Sequence, residues 1–130
     1  MLTVRANTLK TARHTLLNTF KKEFQFEVEN CKYAPNGIRF LKFPEQSIFK
    51  LPEFKRGHFE IQDEGSQLLA MRVNAKPRQI VLDYCGGSGG KTLAFAPFMM
   101  NTGQIYVHDI RKSVLLQARQ RFKRAGVQNY

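Results

Sequence analysis

Acidic residues are scarce in this chain: 10 Asp and Glu stand against 21 Lys and Arg, a formal net charge of +11 over 130 residues. An excess of that size attracts polyanions, so nucleic acid is the expected partner. The shortage is uneven. Up to Glu64 there are eight acids against eleven basic residues, whereas beyond it only Asp83 and Asp109 face ten, so the two stretches carry +3 and +8. Cysteine is scarcer still. Cys31 and Cys85 lie far apart, belong to no Cys-x-x-Cys pair and have no paired histidines nearby. This leaves neither a disulfide framework nor a zinc site, and two free thiols are expected with no metal. No apolar run approaches the roughly 18 to 20 residues that span a bilayer. No basic segment followed by an apolar one opens the chain, so the expected location is cytoplasmic.

What the chain does have is a run of glycines, DYCGGSGGKT at 83–92. The elements around it can be read from periodicity. LTVRAN alternates like a strand, and TARHTLLNTFKKEF places Leu16, Leu17, Phe20 and Phe24 at helical spacing, with Thr11 available as an N-cap. FEVENCKY, a Pro35-Asn36-Gly37 turn, IRFLKF and SIFKLPEF read as short strands of a small α+β unit. HFEIQDEGSQLLAMRV passes from alternation to a helix capped by Asp63, with Leu68, Leu69 and Val73 on one side. RQIVLDY has the continuous apolar character of a buried parallel strand. KTLAFAPFMMN is a helix that Pro97 should kink or end, and QIYVHD is a second strand. SVLLQARQRFKRAG carries Val114, Leu115, Ala118, Phe122 and Ala125 on one face, with Gly126 as its stop.

From Gln79 onward the order is strand, glycine loop, helix, strand, helix, the opening half of a doubly wound sheet. Two parallel strands and their helices would leave a sheet edge and much apolar surface uncovered. The chain therefore reads as a fragment, or as one half of a split protein whose C-terminal half is encoded separately.

The loop narrows the ligand. A phosphate-wrapping loop needs Gly, four residues, then Gly-Lys-Ser/Thr; counted back from Gly90-Lys91-Thr92 that first position is Cys85, and Gly86 leaves only three residues between. The dinucleotide pattern Gly-x-Gly-x-x-Gly, begun at Gly87 and Gly89, meets Thr92 where Gly or Ala is needed. The physics shared by such loops survives both failures: glycines admit a ligand close to the backbone, and unpaired amides at a helix start accept a carboxylate or phosphate. Asp109 closes the second strand, where an acid meets ribose hydroxyls in such folds. S-adenosylmethionine fits this frame, with a carboxylate for the amides, a ribose for the acid and no pyrophosphate.

DYCGGSGGKT also resembles the Asp-x-Cys-Ala-Ala/Gly-Pro-Gly-Gly-Lys-Thr motif of the RsmB/NOP-type RNA (cytosine-5) methyltransferases, with Gly86 in place of Ala and Ser88 in place of Pro. Three further stretches are similar to that family: VRANTLK at 4–10, GHFEIQDEGSQLLA at 57–70, and Asp109 in VHDIRKSVL. The resemblance implies an α/β fold, the N-terminal part of a Rossmann-like class I methyltransferase domain at 61–130, preceded by a small α+β RNA-side domain at 1–60. It implies S-adenosyl-L-methionine as cofactor, held by Cys85, Gly86, Gly87, Ser88, Gly89, Gly90 and Lys91 with Asp109 on the ribose, and rRNA or tRNA as partner.

The family's reaction adds a cysteine thiolate to C6 of cytosine so that C5 becomes nucleophilic, on a base turned out of its stack. The cysteines that do this lie in Pro-Cys-Ser and Thr-Cys-Ser segments, and neither occurs in these 130 residues. No catalytic residue is assigned. Cys85 is expected to pack as a small apolar group, and Cys31 is blander still. Lys91 is expected to reach the cofactor carboxylate. Arg111, Lys112, Arg119, Arg121, Lys123 and Arg124 either grip phosphates or form a solvated face, and His14, His58 and His108 are read as structural. Two rival readings stay open: a non-catalytic RNA-binding remnant, and a P-loop nucleotide-binding protein.

Overall fold

The computed structural model describes residues 1–130 and divides them into two compact units, Met1–Leu68 and Leu69–Tyr130. The first contains β1 (Thr3–Ala6), α1 (Arg13–Lys22), β2 (Val28–Asn30), β3 (Gly37–Phe40), α2 (Pro52–Lys55), β4 (Phe59–Ile61) and most of α3 (Glu64–Met71). It runs past the expected boundary at residue 60 for physical reasons. β4 is hydrogen-bonded to β1, and the buried Gln67 side chain donates to the Gln62 carbonyl at 2.9 Å.

The four strands form an antiparallel sheet in the order β2-β3-β1-β4, with Val4 opposite both Ile38 and Ile61 and Val28 opposite Phe40. Val4, Ile38, Phe40 and Phe59 are buried with Leu16 and Phe20 of α1. Phe20 is the centre: its ring lies 5.5 Å from Phe40 and 5.4 Å from Phe59, tilted or edge-on, as aromatic quadrupoles prefer. Asn7 makes the turn after β1. Its buried side-chain amide donates to the Gly57 carbonyl at 2.8 Å, while its Oδ1 accepts the Leu9 amide at 3.1 Å. The VRANTLK stretch thus does local structural work.

Three local expectations are corrected. Ala12, not Thr11, is the N-cap of α1, and the Thr11 hydroxyl turns to the Ala12 carbonyl. SIFKLPEF is helical: a 3-10 turn at Ile48–Lys50 leads into α2, because Pro52 sits at the first helical position, where its missing N–H costs nothing. On α3 the buried positions are Gln67 and Ala70, while Leu69 and Val73 are exposed and the helix ends at Met71. Asp63 does act at the start of α3, its Oδ1 accepting the Ser66 amide at 2.9 Å. Next to it, Glu64 accepts the amides of Ala34 and Tyr33, and these bonds hold its carboxyl below the usual range.

The second unit contains β5 (Ile80–Asp83), α4 (Gly90–Phe95), β6 (Gln104–Val107) and α5 (Lys112–Ala125). β5 and β6 are parallel, Leu82 opposite Tyr106. α4 stops where expected, passing into a 3-10 turn over Ala96–Met99 that contains Pro97. α5 ends on Gly126 in the left-handed conformation, φ 80°. Ala118, Phe122 and Ala125 are buried as the periodicity predicts, with Val114 and Leu115 half-buried. The buried-strand expectation for β5 is not met: Ile80 is 75% and Leu82 60% exposed, because no other element of this unit covers that side. The chain end is better held. The Ile105 amide donates to the Asn129 carbonyl at 2.7 Å, and the Tyr130 ring lies 4.8 Å from Phe122.

Candidate functional site

The glycine loop leaves the carboxyl end of β5 and Asp109 follows β6, so the parallel pairing brings them side by side. Two backbone bonds fix the crossing: the His108 amide donates to the Asp83 carbonyl and the Gly86 amide to the His108 carbonyl, each at 2.9 Å. A Cβ on Gly86 would lie 2.4 Å from Cγ1 of Val107, so a larger residue here requires the Val107 side chain to shift. Gly89 is glycine for two reasons. Its φ is +81°, and a Cβ would strike the Phe122 ring at 2.5 Å. Gly87 also has positive φ, while Gly90 faces open space.

The expected site residues are brought together. The Gly87 amide donates to Oδ2 of Asp109 at 3.0 Å, tying the first strand's loop to the second strand's acid. The Arg111 side chain and amide also donate to Asp109, at 3.1 Å from Nε and 2.9 Å from the backbone N, both to Oδ1. The Arg111 guanidinium is the largest reason that the Asp109 carboxyl is lowered to about 2, with the Arg111 and Gly87 amides adding to it. The carboxylate is therefore an ionised acceptor at any ordinary pH, only 7% of it accessible. A carboxylate offers about four lone-pair sites. Gly87 and Arg111 together fill them here, with Arg111 Nη2 the long contact at 3.4 Å from Oδ2.

Past Gly89 the loop enters α4. The Leu93 amide donates to the Gly89 carbonyl, which leaves the Lys91 and Thr92 amides with no acceptor in the chain. Thr92 itself is buried and donates its hydroxyl to Oδ2 of Asp83 at 2.7 Å. Lys91 is exposed at the rim. Cys85 is exposed as well, against the expectation that it packs as a small apolar group; β5 has an open side, so nothing encloses it. Cys31 is buried, and burial, then Glu64, pushes its thiol up.

Two contributors were not assigned to the site from sequence. Arg121 donates from Nη1 to the carbonyl and to the hydroxyl of Ser88, both at 2.9 Å. Asp83, through Thr92, anchors the first turn of α4. Arg121 sits in a basic run, RQRFKR, where nothing in the spacing separates a residue that turns inward from its solvated neighbours Arg119 and Lys123. Asp83 stands in the motif, but only the fold shows that its carboxylate faces α4. His108 stacks on Tyr84, centroids 4.7 Å apart, with Nδ1 2.9 Å from the Tyr84 carbonyl.

A parallel strand, glycine loop, helix and strand with an acid at the second strand's end define a Rossmann-like methyltransferase fold, and the family comparison agrees: the model of the ubiE/COQ5 methyltransferase family matches residues 58–130. The chain is 32% identical over 125 residues to a probable ribosomal RNA small subunit methyltransferase B of Bacillus subtilis, spanning 96% of this chain and 27% of that protein. It is 32% identical over 88 residues to a tRNA (cytosine(72)-C(5))-methyltransferase of Pyrococcus horikoshii, spanning 68% of this chain and 23% of that one. A solved structure of a methyltransferase homolog protein from Pyrococcus horikoshii superimposes with a TM-score of 0.89 at 33% identity, over 98% of this chain and 41% of that one. The chain belongs to a methyltransferase family, and the expected resemblance to the RsmB/NOP-type RNA (cytosine-5) methyltransferases is borne out by these relatives. It spans about a quarter of the length of the two curated relatives.

Proposed function

We propose that this chain binds S-adenosylmethionine through the loop Cys85–Lys91 and Asp109, as the cofactor-side portion of an enzyme that methylates cytosine C5 in rRNA or tRNA. The observation that carries the reading is the bond from the Gly87 amide to Asp109. It sets a chain of close-approach glycines beside an ionised carboxylate, the pairing of an amino-acid end and a ribose end that this cofactor needs. The acceptor-free amides of Lys91 and Thr92 would take the cofactor carboxylate, and Lys91 at the rim would add a positive charge. Asp109 would accept the ribose hydroxyls once the exposed Arg111 side chain has given up its two bonds to the acid. Bound there, S-adenosylmethionine supplies an electrophilic methyl group, and the residues of this chain hold and orient it.

The unit at 1–60 is assigned to the RNA side, supported by the net charge of +11 and the rRNA- and tRNA-modifying relatives. Neither Cys31 nor Cys85 is given the attack on C6: the first is buried with a raised pKa, and the second stands in the cofactor loop. Calorimetry with S-adenosylmethionine tests the first half of the proposal. The native chain should bind it and Asp109→Ala should not; absence of heat with the native chain, together with salt-sensitive RNA affinity, would favour the RNA-binding remnant instead. Incubation with tritiated cofactor and unmodified RNA tests the second half, where these 130 residues alone should incorporate no methyl group. Incorporation would overturn that assignment.

A further inference from the structure

Ser88 is the one residue with a side chain between Gly86 and Gly90, flanked by two glycines at positive φ. A stretch this rich in glycine loses much backbone entropy on ordering, so something must hold its midpoint. Gly87 is held by Asp109 and Gly89 by the Gly86 carbonyl, while the ring of Phe122 occupies the space a side chain on Gly89 would need. At Ser88 itself the structure gives two bonds, both from Nη1 of Arg121, to the main-chain oxygen and to Oγ. Arg121 is half-buried and precedes Phe122 on α5, so two consecutive residues of one helix face two consecutive residues of the loop, the first through hydrogen bonds and the second by filling space.

We propose that Arg121 is a positioning residue of the cofactor loop, its guanidinium giving Ser88 the rigidity that a proline would otherwise impose. Proline restricts φ by its ring and removes an N–H. The Ser88 N–H donates to nothing in the chain, so a proline there would break no main-chain hydrogen bond, and the side-chain bond it would remove is the hydroxyl's. Serine and arginine therefore act as a pair: one leaves the loop free to flex, and the other restrains it. This rests on the cofactor reading of the loop above.

The test is a double-mutant cycle in the full chain with two readouts, calorimetric affinity for S-adenosylmethionine and amide hydrogen exchange of Gly87, Gly89 and Gly90. Arg121→Met keeps an apolar stem and removes the donors. It should raise loop exchange and weaken cofactor binding about tenfold, the effect of losing a charged hydrogen bond. In the Ser88→Pro background the same change should cost less than about threefold, since the ring now limits the loop. Equal losses in both backgrounds, or loop exchange that Arg121→Met leaves unchanged, would overturn the proposal. If the native chain binds no cofactor, the cofactor reading fails, and loop exchange across the same four proteins still decides whether Arg121 restrains Ser88.

Discussion

The two units bury their apolar residues in different ways. In Met1–Leu68 a four-stranded sheet and α1 close around Phe20, with Val4, Ile38 and Phe59 fully inside. In Leu69–Tyr130 the side of the two-stranded sheet that meets α4 and α5 is packed, with Ile105, Leu93 and Phe122 buried, while Ile80, Leu82, Tyr84 and Tyr106 are exposed. The antiparallel sheet of the first unit is completed by one hairpin, β2–β3, and by β1 pairing with the distant β3 and β4, with α1 packed over it. A parallel sheet needs a crossover for each added strand and covers both faces only when several are present. The second unit therefore keeps its most precise geometry at the loop, where Asp83, Asp109, Arg121 and three glycines hold one another, and carries open apolar surface elsewhere. Apolar burial is thus more complete in the first unit, while the glycine loop and its paired acid lie in the second.

The largest effect should come from the centre of the first unit. Phe20→Ala should cost about 4 kcal/mol through the cavity it leaves, with loss of amide protection confined to β1 to β4; protection lost equally at β5 and β6 would mean that the units do not unfold separately. Next comes Gly89→Ala in the second unit, expected to cost about 3 kcal/mol because a left-handed residue gains a Cβ against the Phe122 ring. It should abolish cofactor binding while leaving protection in the first unit intact.

A smaller effect is expected at Arg111. Removing its side chain by Arg111→Ala should tighten cofactor binding severalfold by freeing Asp109, and weaker binding would show that Arg111 contacts the ligand. The same variant tests the acid. With a folded pKa of about 2 against roughly 4 in the unfolded chain, Asp109 stabilises the fold above pH 4. That contribution disappears as pH falls toward 2. The Asp109 carboxyl signal in carbon-13 spectra should titrate near 2 in the native chain and nearer 4 in Arg111→Ala. The smallest effect should be at β5, where Ile80→Ser changes stability by no more than about 0.5 kcal/mol, since its side chain is already in solvent. A large loss there would show that the open side is covered in solution and would remove the contrast between the units.

Much of this architecture was legible because its signals are local. The glycines, Pro97, Asp63 and Gly126 punctuate the chain through backbone constraints that each residue carries with it, so loop, helix end and caps fell near their expected places. SIFKLPEF misled because its apolar residues suit a strand and a short helical turn equally, and Pro52 decided for the turn. RQIVLDY misled differently. An apolar run fixes strand type, but burial depends on which other elements lie over it.

The sequence by itself determined the strand-loop-helix order, a loop one residue short of the phosphate-wrapping spacing, and an acid just after the second strand. These follow from residue type and separation along the chain. Only the tertiary structure decided that Gly87 donates to Asp109, that Thr92 is spent on Asp83, that Val107 and Phe122 occupy the space a side chain at Gly86 and Gly89 would need, and that Arg121, alone among its basic neighbours, turns to Ser88. Those facts join residues 9 to 33 positions apart. Sequence periodicity constrains neighbours on one element; contacts between elements depend on how the elements pack.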